Sequence, residues 1–247
     1  MGLEAVLMLA ALMFLAALLY SSVGHAGASG YLAAMALFGL APLVMKPTAL
    51  MLNVVVASIA SYRFLRAGCF SRELFWPLAL AAVPMAFVGG LVTLPPAAYR
   101  PLLGLVLLYS AWRFLARPVP EAAERRPPAL PWLLAAGAGI GLLSGLTGVG
   151  GGIFLSPLAL FLAWGRMREV AGVSALFILV NSLAGLAGFF TRHGMVLPEG
   201  FPVWAVAVVL GGWLGAGLGS RRLPVATLQK VLALVLAVAG GKMLLTL

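Results

Sequence analysis

Hydrophobic residues occupy eight long, charge-poor segments of the chain, and the short stretches between them hold most of the charged side chains. The segments cover about residues 3–40, 47–65, 74–94, 98–116, 132–165, 170–190, 201–219 and 224–245. Apolar stretches of about 20 residues have the length of helices that cross a lipid bilayer. The pattern therefore predicts an all-α polytopic membrane protein.

Two of these segments are too long for a single crossing. Residues 5–45 and 127–165 contain no Asp, Glu, Lys or Arg, and a continuous helix of that length would reach about 60 Å, twice the thickness of a hydrocarbon core. Each segment must therefore turn back or break inside the membrane. The first residues lack the basic n-region of a signal peptide, so we expect the first segment to be retained.

The composition excludes several other classes of protein. Of 247 residues, 63% are hydrophobic and 9% are charged, which is too apolar for a soluble domain. The 16 Lys and Arg residues are scattered between apolar runs, so nucleic-acid binding is not expected. Six Glu, no Asp, one Cys and two distant His leave no metal set or catalytic dyad. We therefore expect neither an enzyme nor a cofactor, and no loop resembles an ATP site.

The two halves of the chain repeat each other. With a constant shift of 126 residues, Phe64–Gly68 aligns with Phe190–Gly194. After a three-residue insertion the shift becomes 129, which aligns Arg113 with Lys242. The repeat predicts a first transmembrane repeat over residues 1–116, a cytoplasmic linker loop over residues 117–131 and a second transmembrane repeat over residues 132–247.

The distribution of Lys and Arg among the loops, with Lys46 counted in the loop 41–47, predicts the topology. If each long segment crosses once, the cations divide eight to six between the two sides, whereas re-entrant hairpins give eleven to three. Because cytoplasmic loops carry the excess of Lys and Arg, the hairpins are favoured. Each half is then a broken or re-entrant helical hairpin plus three transmembrane helices. This odd number of crossings predicts two inverted-topology repeats, as in many secondary transporters.

The turns of the two hairpins are glycine-rich and are the predicted substrate-binding site. The candidate residues are Ser22, Gly24, His25 and Gly27 in the first turn, and Thr147, Gly148, Gly150, Gly151 and Gly152 in the second. Glycines allow backbone N–H groups to converge, and the following helix adds the positive end of its dipole. Such a turn can hold an anion without charged side chains. The alternative is close helix packing through small residues.

His25 is the one titratable side chain in the first long apolar run. An ionisable group inside a membrane is a functional candidate, so His25 could donate a hydrogen bond to an anion or carry a coupled proton. The alternative is a neutral histidine bonded to Ser21, Ser22 or a backbone carbonyl.

Two asparagines and two arginines complete the candidate residues. Asn53 and Asn181 lie in the segments that follow each hairpin, where their amides could bond a substrate or join helices. Arg66 and Arg192 match between the repeats, one at each face if the halves are inverted. They could draw anions into two vestibules, or they could anchor helices at the membrane interface.

The run Gly-Val-Gly-Gly-Gly-Ile-Phe-Leu-Ser-Pro at 148–157, the Val-Ser-Ala at 173–175 and the weaker stretch 22–30 resemble the TauE/SafE family of sulfite exporters, also called the 4-toluene sulfonate uptake permease family. The resemblance covers nearly the whole chain. The family's triple glycine is present at 150–152, whereas His25-Ala26 stands at the equivalent of its last two glycines. The resemblance implies transport of sulfite, thiosulfate, sulfonates or related sulfur-containing anions across a bacterial inner membrane.

The leading hypothesis is a secondary transporter or facilitator for small anions, with the lipid bilayer and a small anionic substrate as its partners. The residues do not indicate an oligomeric state. All six glutamates lie near segment ends or in loops, so His25 is the one side-chain candidate for proton coupling. A negative interior drives anions outward by about 2.3 kcal/mol per charge per 100 mV, which favours export. The alternatives are a non-transporting membrane subunit and a transporter of an unrelated small solute.

Overall fold

A computed structural model describes residues 2–22, 24–115, 128–194, 197–219 and 226–245, and within these ranges the chain is all-helical, without a β-strand. The helices are α1 (Leu3–Ser22), α2 (Ala28–Leu37), α3 (Pro42–Arg66), α4 (Arg72–Leu91), α5 (Pro96–Leu115), α6 (Leu130–Thr147), α7 (Gly152–Phe161), α8 (Met167–Arg192), α9 (Phe201–Gly219) and α10 (Ala226–Leu245). Among them α1, α3, α4, α6, α8 and α9 are long and apolar enough to cross a bilayer. The predicted multi-pass all-α class is confirmed.

Both long apolar segments are broken at the predicted glycine-rich stretches. Left-handed backbone conformations, which a side chain disfavours, occur at Gly24 and Gly27 in the first turn and at Gly148, Gly150 and Gly151 in the second. The helices that follow, α2 and α7, have ten residues each, so each rises about 15 Å, half of a hydrocarbon core. Each segment is therefore a full-length helix followed by a half-length one.

Helices that match in the sequence repeat run in opposite directions. On α3 and α8, Asn53 Nδ2 lies 3.5 Å from Ser182 Oγ, whereas Phe64, later in α3, packs against Gly172, earlier in α8. Helices α5 and α10 are also antiparallel, because Gly104 packs against Leu244 and Leu108, later in α5, packs against Gly240, earlier in α10. This packing is the one expected of inverted repeats, and the inversion relative to the membrane stays a prediction.

The broken segment of each half packs against a helix of the other half. Helix α1 lies along α9, and α6 lies along α4. Glycines allow this approach, because a Cβ on Gly141 of α6 would overlap the Ala82 carbonyl oxygen, and one on Gly211 of α9 would overlap that of Phe14. Part of the glycine content therefore serves helix packing, but these glycines lie in α6 and α9 rather than in the turns.

Parts of the predicted domain division cannot be compared with the structure. Residues 117–127 of the predicted linker loop lie outside the described ranges, as do Val23 of the first turn and residues 220–225 before α10. The boundaries of the two repeats and of the linker therefore stay predictions.

Candidate functional site

The two glycine turns meet inside the protein. His25 Nε2 in the first turn lies 3.0 Å from the carbonyl oxygen of Gly152 in the second. A carbonyl only accepts, so this hydrogen bond places the proton on Nε2. Of the arrangements predicted for His25, the structure has the one bonded to a backbone carbonyl. The bond ties the loop before α2 to the beginning of α7, and any role of His25 toward a substrate stays a prediction.

The beginning of α7 presents backbone amides without acceptors. Gly150 and Gly151 have φ of 83° and 87°, and Gly151 precedes the helix without a side-chain cap. The amides of residues 150–153 find no acceptor within the described part of the chain, although all four residues are buried. Buried amides that lack a partner cost free energy, so this turn is suited to an acceptor from outside the chain.

Asn53 of α3 lies directly against this turn. Its Nδ2 donates to the Val149 carbonyl oxygen at 3.3 Å, and Ser182 Oγ lies 3.5 Å away. A Cβ on Gly150 would come within 2.5 Å of the same nitrogen. Asn53 Oδ1 has no hydrogen-bond partner among the described residues. The structure thus brings Asn53 to the second turn, and any role of Asn53 toward a substrate stays a prediction.

Asn181 of α8 is buried without hydrogen bonds. Neither its Nδ2 nor its Oδ1 has a partner in the described ranges, and its side chain is fully buried. It lies one helical turn after Phe177, whose ring packs beside Gly151. Because most buried polar groups are bonded, this amide marks a position where a ligand atom or a water would be stabilised.

The hydroxyl groups predicted for the site are used by their own helices. Ser22 Oγ donates to the Leu19 carbonyl at 2.7 Å, and Thr147 Oγ1 donates to that of Leu143 at 2.6 Å. Such bonds to the preceding turn are common for Ser and Thr in helices. The Thr147 carbonyl oxygen in turn accepts from the Tyr99 hydroxyl at 2.9 Å.

The remaining turn glycines are covered by neighbouring residues. A Cβ on Gly24 would lie 2.7 Å from that of Ala171 in α8. A Cβ on Gly27 would lie 2.8 Å from the Tyr31 hydroxyl, and the amides that follow it at the beginning of α2 also find no acceptor in the described ranges. On the far side of the second turn, Gly148 packs against the backbone of Lys46.

Arg66 and Arg192 do not reach either turn. They lie at the last residues of the antiparallel helices α3 and α8, hence at opposite ends of the protein, and both are exposed. Arg66 Nη1 donates to the Tyr62 hydroxyl at 2.7 Å, and Arg192 Nη1 lies 3.4 Å from the Leu91 carbonyl oxygen. These positions suit either predicted role, a vestibule or an interfacial anchor.

Lys46 is the residue beside the second turn that the sequence did not single out. The charge pattern places it in a loop, but α3 begins at Pro42 and Lys46 is only 4% exposed. Its Nζ donates to the carbonyl oxygens of Gly89 at 2.9 Å, Gly90 at 3.2 Å and Val92 at 3.0 Å. Proline is favoured at the first helical position, so Pro42 was the available signal that the helix begins before Lys46.

Two cavities in the described structure lie near the second turn. One of about 620 Å³ lies between α5, α6 and α7, with Ile140, Phe154 and Arg113 in its wall. None of the predicted site residues lines it. A much smaller one, of about 10 Å³, is lined by Lys46 and Tyr99 below the second turn. No turn glycine lines either of these two cavities.

Comparison with known proteins gives one family and one named relative. A family model described as sulfite exporter TauE/SafE matches residues 9–243. The chain is also 43% identical over 241 residues to a protein of Sinorhizobium fredii (strain NBRC 101917 / NGR234) named probable membrane transporter protein y4hK. That alignment covers 96% of this chain and 97% of the relative. No solved structure matches the chain.

Proposed function

The chain belongs to the sulfite exporter TauE/SafE family and is a multi-pass membrane transport protein, and we propose that it moves small sulfur-containing anions across the bacterial inner membrane. The proposed substrates are sulfite, thiosulfate and sulfonates, carried by a secondary transporter or facilitator. The family's description supports this substrate class. All three substrates share an SO₃ group with negative charge on its oxygens, and the site must recognise that group.

The observation that carries the proposal is the set of buried amides at residues 150–153, for which the described part of the chain offers no acceptor. These amides lie at the positive end of the α7 dipole, where an anion is stabilised. The four glutamates in the described ranges all lie in the first turn of a helix or just before one. No carboxylate in that part of the chain therefore competes with a bound anion.

The neighbouring side chains extend the proposed site. Asn181 contributes an unpaired Nδ2 donor, and Asn53 holds the turn through the Val149 carbonyl. The amides at the beginning of α2 also find no acceptor in the described ranges, and His25 links the turn before them to the second turn. We assign the direct contacts with the anion mainly to the second turn, and the support of that turn to His25 and Asn53.

Export is the proposed direction, because a negative interior expels anions without a coupling ion. If transport is coupled to protons, His25 is the residue proposed to carry them. Because His25 Nε2 is bonded to the Gly152 carbonyl oxygen, a change in the protonation of His25 would act on the first residue of α7.

Flux in liposomes tests the proposal. Purified protein is reconstituted and offered sulfite, thiosulfate, a sulfonate and sulfate, with Gly151→Ala as the site variant and Gly68→Ala as its control. Both glycines have positive φ, but a Cβ meets Ile140 and Phe177 at Gly151 and open space at Gly68. We expect saturable flux of a sulfur anion in the wild type and in Gly68→Ala, and loss of flux in folded Gly151→Ala.

Two outcomes would contradict the proposal. Flux of none of the sulfur anions would favour an unrelated solute or a non-transporting subunit. Normal flux in Gly151→Ala with a lowered unfolding temperature would mean that the turn glycines serve packing only.

A further inference from the structure

We propose that Lys46 is the charged group that selects anions on their way to the second glycine turn. This inference rests on the proposed function and adds a residue to it. The residue stands outside both turns, at the beginning of α3.

The hydrogen bonds of Lys46 require the charged form. Its Nζ has three carbonyl acceptors, from Gly89, Gly90 and Val92, at 2.9 to 3.2 Å. A neutral amine has two N–H donors and an ammonium has three, so three carbonyl partners call for the cation. The Phe189 ring, with its centroid 5.8 Å from Nζ, adds a cation–π contact.

No carboxylate neutralises this charge in the described part of the chain. The partners of Lys46 are the last carbonyls of α4 and the aromatic ring, which are dipolar groups without net charge. A buried cation that is balanced only by dipoles leaves a positive potential around it, and it is costly to keep inside a membrane protein. Such a group is typical of an ion pathway.

The position of Lys46 connects one end of the protein with the second turn. With Thr93, Leu94 and Tyr99 it lines the cavity of about 10 Å³, which has room for about one water molecule. A Cβ on Gly148 would lie 3.1 Å from the Lys46 carbonyl oxygen, and Tyr99 donates to the Thr147 carbonyl. Two residues of the cavity wall therefore touch the second turn directly.

An anion that enters here must displace Lys46 from its carbonyls. The cavity is too small for an SO₃ group, so the ammonium has to exchange carbonyl oxygens for anion oxygens as the path opens. Bonds between an ammonium and an anion are stronger than those to neutral carbonyls, which makes the exchange favourable for anions and unfavourable for neutral solutes. The flexible lysine stem allows this movement.

A second lysine provides the matched control. Lys242 of α10 also donates to the last carbonyls of a helix, those of Ala36 at 3.2 Å and Leu37 at 2.8 Å in α2. It lines neither the small cavity nor the second turn. A purely structural role at a helix end would make the two lysines equivalent in transport.

The test compares Lys46→Gln, Lys46→Arg and Lys242→Gln in liposomes, with the KM for thiosulfate and the unfolding temperature measured for each. We expect Lys46→Gln to raise KM about tenfold or more, which corresponds to about 1.4 kcal/mol. Lys46→Arg keeps the charge and should stay within about threefold of wild type. Lys242→Gln should change only the unfolding temperature. A wild-type KM in folded Lys46→Gln would overturn the inference.

A second pair of variants covers the case in which Lys46→Gln fails to fold. Thr93 is exposed at the rim of the same cavity, so Thr93→Glu should fold and place a negative charge beside Lys46. We expect a several-fold higher thiosulfate KM in Thr93→Glu than in Thr93→Gln, because both lose the contact of Thr93 Oγ1 with His193 Nε2 and only Glu adds a charge. Equal KM values would overturn the inference while leaving the proposed function intact, whereas absence of flux in the wild type would overturn both.

Discussion

The first and second glycine turns share a backbone plan but have different neighbours. Each leads into a ten-residue helix that follows a left-handed glycine, Gly27 with φ 105° and Gly151 with φ 87°, without a side-chain cap. At the first turn, buried tyrosines fill the space, and the Tyr31 hydroxyl bonds the Ala26 carbonyl. At the second turn, Gly150 meets the Asn53 amide and the Ser182 hydroxyl, and Gly151 meets the Phe177 ring. The same backbone therefore meets a tyrosine hydroxyl in the first half and an asparagine amide in the second.

The far ends of the two short helices differ as well. Lys242 donates to the last carbonyls of α2. Arg113, which aligns with Lys242 in the repeat, lines the cavity of about 620 Å³, as does Phe161, the last residue of α7. Helix α2 is thus fastened to α10 at a point where α7 is separated from α5.

The largest expected effect distinguishes the two turns directly. Gly150→Ala pushes a Cβ against Asn53 Nδ2, whereas Gly27→Ala pushes one against the Tyr31 hydroxyl. We expect Gly150→Ala to lower anion flux by about 100-fold or more, as a loss of about 3 kcal/mol in binding would. Gly27→Ala should mainly lower the unfolding temperature, because it strains packing. Equal flux losses in the two variants, measured at equal amounts of folded protein, would contradict the assignment of anion binding mainly to the second turn.

The two asparagines should respond in opposite ways to leucine. Asn181→Leu removes an amide that has no partner among the described residues, so stability should stay the same or rise, while anion affinity should fall about tenfold. Asn53→Leu removes the bond to the Val149 carbonyl and should cost about 1–2 kcal/mol in stability. Denaturation and thiosulfate binding, measured on both variants, check this. Unchanged affinity in Asn181→Leu would exclude this amide from the site.

The bond between the turns predicts an effect on flux that is smaller than that of Gly150→Ala. His25→Ala should reduce flux about tenfold, because the Gly152 carbonyl loses its donor, whereas His25→Gln keeps an N–H donor and should stay within about threefold of wild type. Flux is measured with and without a pH gradient. Loss of gradient-driven flux in His25→Gln would instead assign proton coupling to His25.

The smallest effect concerns the far ends of the short helices. Lys242→Met should cost about 1–2 kcal/mol of stability, because it removes a charged donor from the α2 carbonyls. Arg113→Met should cost less than about 0.5 kcal/mol, because its described contact is with the Trp112 ring, 5.9 Å away. Denaturation in detergent compares the two. Equal losses of stability in the two variants would show that the bonds of Lys242 to α2 do not stabilise the protein more than the contacts of Arg113 do.

Hydrophobic patterning was sufficient to predict the helices and both breaks, because membrane spans need long apolar runs and the breaks need glycine. It placed the beginning of α3 too late, since the charge of Lys46 suggested a loop. The contact of Asn53 with Val149 joins residues that are 96 positions apart in the sequence. A pattern of neighbouring residues cannot predict a contact over so large a sequence separation. The bonds of Ser22 and Thr147 to their own helices depend on side-chain rotamers, which the sequence leaves open.

An experimental structure with bound thiosulfate is the most direct test of the central claim, that the second glycine turn binds the substrate anion. We predict the SO₃ group within hydrogen-bonding distance of the amides of Gly151 and Gly152, with Asn181 Nδ2 as a further donor. Thiosulfate bound at the first turn, or in the cavity beside Arg113, with the second turn empty, would contradict the account.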